Sequence, residues 1–164
     1  MAAIPSPHLR VRAQRLPVDP APRLHAFVRE NVIPDEIERD CPDFSGKIAK
    51  RIFIDLAERK EARDYLQIVE AEADLIRLAA PLWELFEKYE EEEKDDIAKR
   101  IYDRIHPLDQ RLEALRKRKR EIEQFADDVL RNHTPLPYNI EGDIEYKKLA
   151  EPLLLAFSTD YQEE

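Results

Sequence analysis

Five consecutive cations, Arg116, Lys117, Arg118, Lys119 and Arg120, stand out in a chain whose formal charge is −9. Such a run can neutralise phosphates, with an affinity that falls steeply as salt rises. On a helix, however, successive residues advance by about 100°, so five in a row ring the helix instead of lining one groove-facing stripe. No aromatic residue interleaves with them to stack on a base. Lys119 falls on an apolar seam, where its aliphatic stem can pack while its ammonium reaches towards Glu70 or Glu72.

Other residues with chemical potential are isolated. Asp103 and His106 form one i,i+3 carboxylate–imidazole pair beside Pro107. Di-iron bundles need two Glu-x-x-His units and further glutamates, so a single pair reads as a local hydrogen bond. Cys41 stands between Asp40 and the Pro42-Asp43 step, and nearby anions disfavour the thiolate that nucleophilic catalysis requires. The acidic cluster Glu90 to Glu93 with Asp95 and Asp96 lacks the alternating oxygen ligands and turn glycine of a calcium loop. G-x-S-x-G, H-E-x-x-H, C-x-x-C and phosphate-cradling glycine motifs are all missing from the chain. No catalytic residue, metal ligand or cofactor-binding residue is assigned.

Trp83, Phe86 and Tyr89 cluster beside Pro81 and Leu82. They can serve as packing near a hairpin tip or as an exposed anchor for another protein. With Arg116, Lys117, Arg118 and Arg120 they are the candidate partner-binding residues.

The elements that must position these groups are helices. The chain has 164 residues, enough for one domain with a sizeable core. Two glycines and 38% charged residues of both signs argue against a strand-rich fold. No apolar run approaches the roughly 18 residues that span a bilayer. A single cysteine excludes an intrachain disulfide and fits a reducing, cytoplasmic setting.

Five prolines (Pro5, Pro7, Pro17, Pro20, Pro22) and four arginines predict that residues 1–23 form a flexible, basic arm. Arg10, Arg12 and Arg15 precede any acid there, as in a transit peptide, although the prolines break an amphipathic helix. Residues 24–157 are expected to form one helical domain, with an acidic tail after it at 158–164. Leu24, Phe27 and Val28 mark a first short helix. Pro34 is expected at a first turn, and Ser45 as the N-cap of the next long helix.

From Lys47 onward, Ile52, Ala62, Leu66, Val69, Ala73, Ile76 and Ala80 lie on a seam of alternating steps of three and four, interrupted only by polar Asp55 and Arg59. A second stripe runs beside them through Tyr65, Ile68, Leu75, Ala79 and Leu82. Ile101, Ile105, Leu108, Leu112, Leu115, Lys119, Ile122, Ala126 and Val129 keep the same heptad rhythm. The polar break EEEEKDD at 90–96 separates the two segments and predicts an antiparallel hairpin over 47–132, with arms at 47–91 and 95–132. Centred on Lys94, it sets level those residues whose numbers add to about 188, pairing Leu66 with Ile122 and Ala73 with Leu115. Pro81 and Pro107 then lie opposite each other, so that one kink matches the other. The sequence HTPLPYNIEGD reads as a loop, and Asp143 to Phe157 as a last helix interrupted at Pro152.

The expected fold is therefore all-α: a long, kinked, coiled-coil-like hairpin covered by shorter N- and C-terminal helices. Charge is polarised along it, with two cations and eight anions over 81–98 but nine cations and three anions over 99–120. The expected function is a non-enzymatic protein-interaction module, an adaptor, regulator or assembly subunit. It would bind a protein partner or a second copy of itself, without cofactor or membrane contact. The alternative is a nucleic-acid-associated protein using Arg10, Arg12 and Arg15 with the 116–120 run. A small helical-bundle enzyme is a third.

Overall fold

A computed structural model describes residues 21–134 and 146–163. Among these residues there are seven helices and no strand: α1 Pro22–Asn31, α2 Asp35–Asp40, α3 Phe44–Ala57, α4 Lys60–Arg63, α5 Tyr65–Glu91, α6 Asp95–His133 and α7 Tyr146–Glu163. The fold is all-α, as expected. Of the arm expected over 1–23, residues 1–20 lie outside the described residues, and Pro22 and Arg23 belong to α1. Of the loop expected over 133–143, His133 ends α6 and residues 135–143 lie outside the described residues.

α5 and α6 form the antiparallel hairpin, and its register obeys the sequence rule. Tyr65 Oη donates to Glu123 at 2.7 Å, Arg116 Nε donates to Glu72 at 3.1 Å, and the Phe86 and Tyr102 rings lie 5.9 Å apart. Each pair satisfies the numbering that places Pro81 opposite Pro107. Both helices continue through their prolines. Each proline removes one intrahelical hydrogen bond at the same level of the pair, so any bend is shared.

The first arm does not begin at 47. The chain turns over Glu58 to Asp64, and α3 and α4 are separate helices that pack at the hairpin's base. Ser45 is not the cap of α3. It lies inside the first turn, fully buried, donating to Glu38 at 3.1 Å with His25 Nε2 3.0 Å away. Pro34 precedes α2 as its N-cap and not as its first helical residue.

A core at the base joins six helices, α4 entering it through Ala62. It contains Leu24 and Val28 of α1, Ile52 and Leu56 of α3, Tyr65 of α5, Ile122 and Leu130 of α6, and Leu153 and Phe157 of α7. Phe53 meets the edge of Phe157 at 5.1 Å, a geometry that suits the quadrupoles of the two rings. Residues 158–163, expected as an acidic tail, are the last turns of α7. Ser158 and Asp160 there are buried. α7 also runs without interruption through Pro152, and its expected start at Asp143 lies outside the described residues.

Beyond that core, among the described residues, the hairpin continues as two helices alone. The interior row of α5 is Tyr65, Ile68, Glu72, Leu75, Ala79, Leu82, Phe86 and Tyr89, all buried or half-buried. This is the second stripe of the sequence. The first stripe leaves the interior: Ala73, Ile76 and Ala80 are exposed. The reason is length. The second stripe sustains the heptad over eight positions with bulky aromatics at its end, whereas the first runs into Glu87 two turns past Ala80. α6 keeps the expected row, with Ile105 and Leu112 buried.

Candidate interaction surface

The hairpin tip is closed by backbone chemistry. Lys94 N–H donates to Tyr89 C=O at 2.9 Å and Glu93 N–H to Glu90 C=O at 3.1 Å, while Glu93 takes a left-handed φ of 60°. These two bonds satisfy the last carbonyls of α5, the pattern that usually places glycine where Glu93 stands. The Lys88 and Lys94 ammonium groups sit 5.7 and 5.8 Å from the half-buried Tyr89 ring. Tyr89 is thereby engaged within the tip.

Below the tip, four rings form a ladder along one flank. Trp83 meets Phe86 edge-on at 5.7 Å, Phe86 meets Tyr102 at 5.9 Å, and Tyr102 stacks on His106 at 6.0 Å. Phe86 is the half-buried member, while Trp83 and Tyr102 are 37% and 44% exposed. His106, expected to bond Asp103, instead extends this ladder. Tyr102 escaped the sequence reading, although the register rule sets it level with Phe86.

The basic run divides by direction. Arg116 and Lys119 both bond Glu72, the latter at 3.3 Å from a side chain that is 17% exposed. Partial burial pushes the Glu72 carboxyl up. The hydrogen bonds from Arg116 and Lys119 outweigh that and hold it below its ordinary value. Lys117, Arg118 and Arg120 are exposed and make no ion pair among the described residues. Arg116, Lys117 and Arg120 border an open concavity of about 710 Å³ whose described lining comes from α6 alone. An open trough on one helix does not converge groups on a reacting atom.

The heptad places a further set together. Arg104, Arg111 and Arg118 each directly precede a core position of α6, so they share one flank, all exposed. Leu78 and Leu85 hold the equivalent place on α5, 60% and 41% exposed. In an antiparallel pair these positions adjoin. Ile76, Trp83, Tyr102 and Arg116 belong to the opposite flank. Sequence reading overlooked the three arginines because it weighed a contiguous run and not a seven-residue step.

Elsewhere, Cys41 is an exposed free thiol at the end of α2. Among the described residues no three His, Cys, Asp or Glu side chains are placed to hold a metal ion. No described helix is long and apolar enough to cross a membrane. No protein-family model, curated protein or solved structure matches the chain.

Proposed function

We propose that the protein is a non-enzymatic helical interaction module in which the short helices and the hairpin base form a scaffold, and the distal hairpin is the binding arm. One observation carries this. Among the described residues the large exposed hydrophobics are Ile54, Ile76, Leu78, Trp83, Leu85, Ile97 and Tyr102, and all but Ile54 lie on the distal hairpin. Apolar side chains gathered on a protruding element, away from the core that holds the fold, mark an association surface. The partner is a protein, or a second copy completing a four-helix bundle. A cytoplasmic setting goes with it, since a lone exposed thiol suits a reducing compartment.

The test is site-specific photo-crosslinking in the native host. Crosslinkers at Ile76, Leu78 and Leu85 are expected to yield a defined protein adduct, with none from Lys50 on α3. Adducts spread equally over base and arm, or none from the arm, overturn the proposal. Lys117, Arg118 and Arg120, without ion pairs among the described residues, support nucleic-acid association as a second reading. It requires a salt-dependent mobility shift of duplex or single-stranded DNA and fails without one.

A further inference from the structure

We propose that the flank carrying Arg104, Arg111 and Arg118 with Leu78 and Leu85 is a groove for one acidic amphipathic helix of a partner protein, which completes a three-helix coiled coil. The inference deepens the reading of the hairpin as a binding arm and rests on it.

In a self-sufficient antiparallel pair, the residues that border the seam from either helix complement each other, opposite charge facing opposite charge. This flank does the reverse. Three arginines one heptad apart border α6, and leucines border α5. None of the three arginines makes a hydrogen bond or ion pair among the described residues. Arg100 and Ile97 extend the same mixture towards the tip, Ile97 being 39% exposed. On the opposite flank, by contrast, the bordering residues Arg116 and Glu123 of α6 are answered by Glu72 and Tyr65 of the interior row of α5.

A third helix laid along the groove supplies both missing halves. Its apolar row covers Leu78 and Leu85, and carboxylates repeating every seven residues meet arginines that recur about every 10.5 Å along α6. Bidentate guanidinium–carboxylate pairs at the rim of an apolar strip set register and orientation. Phosphates on a nucleic acid would engage the arginines and gain nothing from the two leucines. The chain's own densest acids, Glu90 to Asp96, sit at the turn and not along a helix flank. A second copy is therefore the poorer occupant.

The experiment is fluorescence anisotropy with a labelled three-heptad peptide probe bearing leucine at the two core positions and glutamate at the flanking ones. A second probe carries lysine in place of glutamate. The full-length protein is expected to prefer the glutamate probe at least tenfold. Combined Arg104→Glu, Arg111→Glu and Arg118→Glu should invert that preference, a gain that a misfolded variant cannot produce. Leu78→Asp with Leu85→Asp should weaken the glutamate probe at least tenfold, while Ile76→Lys on the opposite flank leaves it unchanged. Equal binding of both probes overturns the proposal. So does a 20-base-pair duplex that binds through the same arginines and ignores the leucine changes, or self-association abolished by the charge reversal. Crosslinks from the Ile76 flank alone would leave the binding-arm function standing while sinking the groove.

Discussion

Glu72 of α5 reaches across the seam to Lys119 of α6, carboxylate oxygen to ammonium 3.3 Å, both side chains largely shielded. A lysine in a heptad core position is a cost unless its charge is answered, and Glu72, also bonded to Arg116, answers it. Because the folded-state value of Glu72 lies below its ordinary 4.5, its contribution is present above that pH and is lost as pH falls through the folded-state value. Urea midpoints of the wild type and Glu72→Gln between pH 7 and pH 3 should show a gap that narrows in acid. A gap independent of pH would exclude this linkage.

A second prediction concerns how α1 begins. Ala21 offers no capping side chain, and the first amides are instead met from α7. Asp160 accepts from Arg23 N–H at 3.2 Å and Leu24 N–H at 2.8 Å, and Arg23 reaches Glu163 at 2.5 Å. A buried carboxylate on a helix N-terminus is favoured by both the amides and the dipole. Asp160→Ala should lower stability by about 2 kcal/mol, at the upper end for a lost cap, because the buried Leu24 N–H and the part-buried Arg23 N–H both lose their acceptor. Asp160→Asn keeps one acceptor oxygen and should lose less. Chemical denaturation measures both.

Tyr65 provides a third. Its ring is buried, and burial together with donation to Glu123 pushes the phenol well above its ordinary 10.0. The bonded, neutral phenol stabilises the fold below that pH, and the contribution is lost as alkali reaches the folded-state range. In a titration monitored by ultraviolet absorbance, Tyr65→Phe should match the wild type's phenolate amplitude up to about pH 11, while both remain folded. At neutral pH the same substitution should lower stability by about 1 kcal/mol.

The hairpin's register was legible in the sequence because a polar break and two prolines constrain it independently of side-chain rotation. Which stripe of α5 would turn inward was not. Both stripes are apolar near Leu66, where neighbouring helices cover the whole face, and only the distal half discriminates between them. The break at Glu58 to Asp64 was hidden because KEARDY contains no proline or glycine to announce it. Capping of α1 by Asp160, 136 residues from Leu24, has no local signature at all. The candidate surface shows the same division. The basic run is visible as a string, yet Arg116 and Lys119 turn out to be engaged with Glu72. The flank shared by Arg104, Arg111 and Arg118 appears only once the interior row of α6 is placed against that of α5.

The tip offers a substitution expected to stabilise the protein. Glu93 holds a φ of 60° with a side chain that restricts that conformation, in a turn whose two hydrogen bonds fix its place. Glycine adopts the same backbone without the Cβ clash, although its unfolded chain is freer to begin with. The first effect exceeds the second at a position already committed to the left-handed region, so Glu93→Gly should gain about 0.5–1 kcal/mol. Glu93→Ala removes a charge from the acidic tip but keeps the Cβ, and should gain little. Equal gains from both would mean that crowding of Glu90 to Asp96, and not backbone conformation, limits the stability of the turn. Thermal midpoints at low and high salt separate the two, because only repulsion is screened.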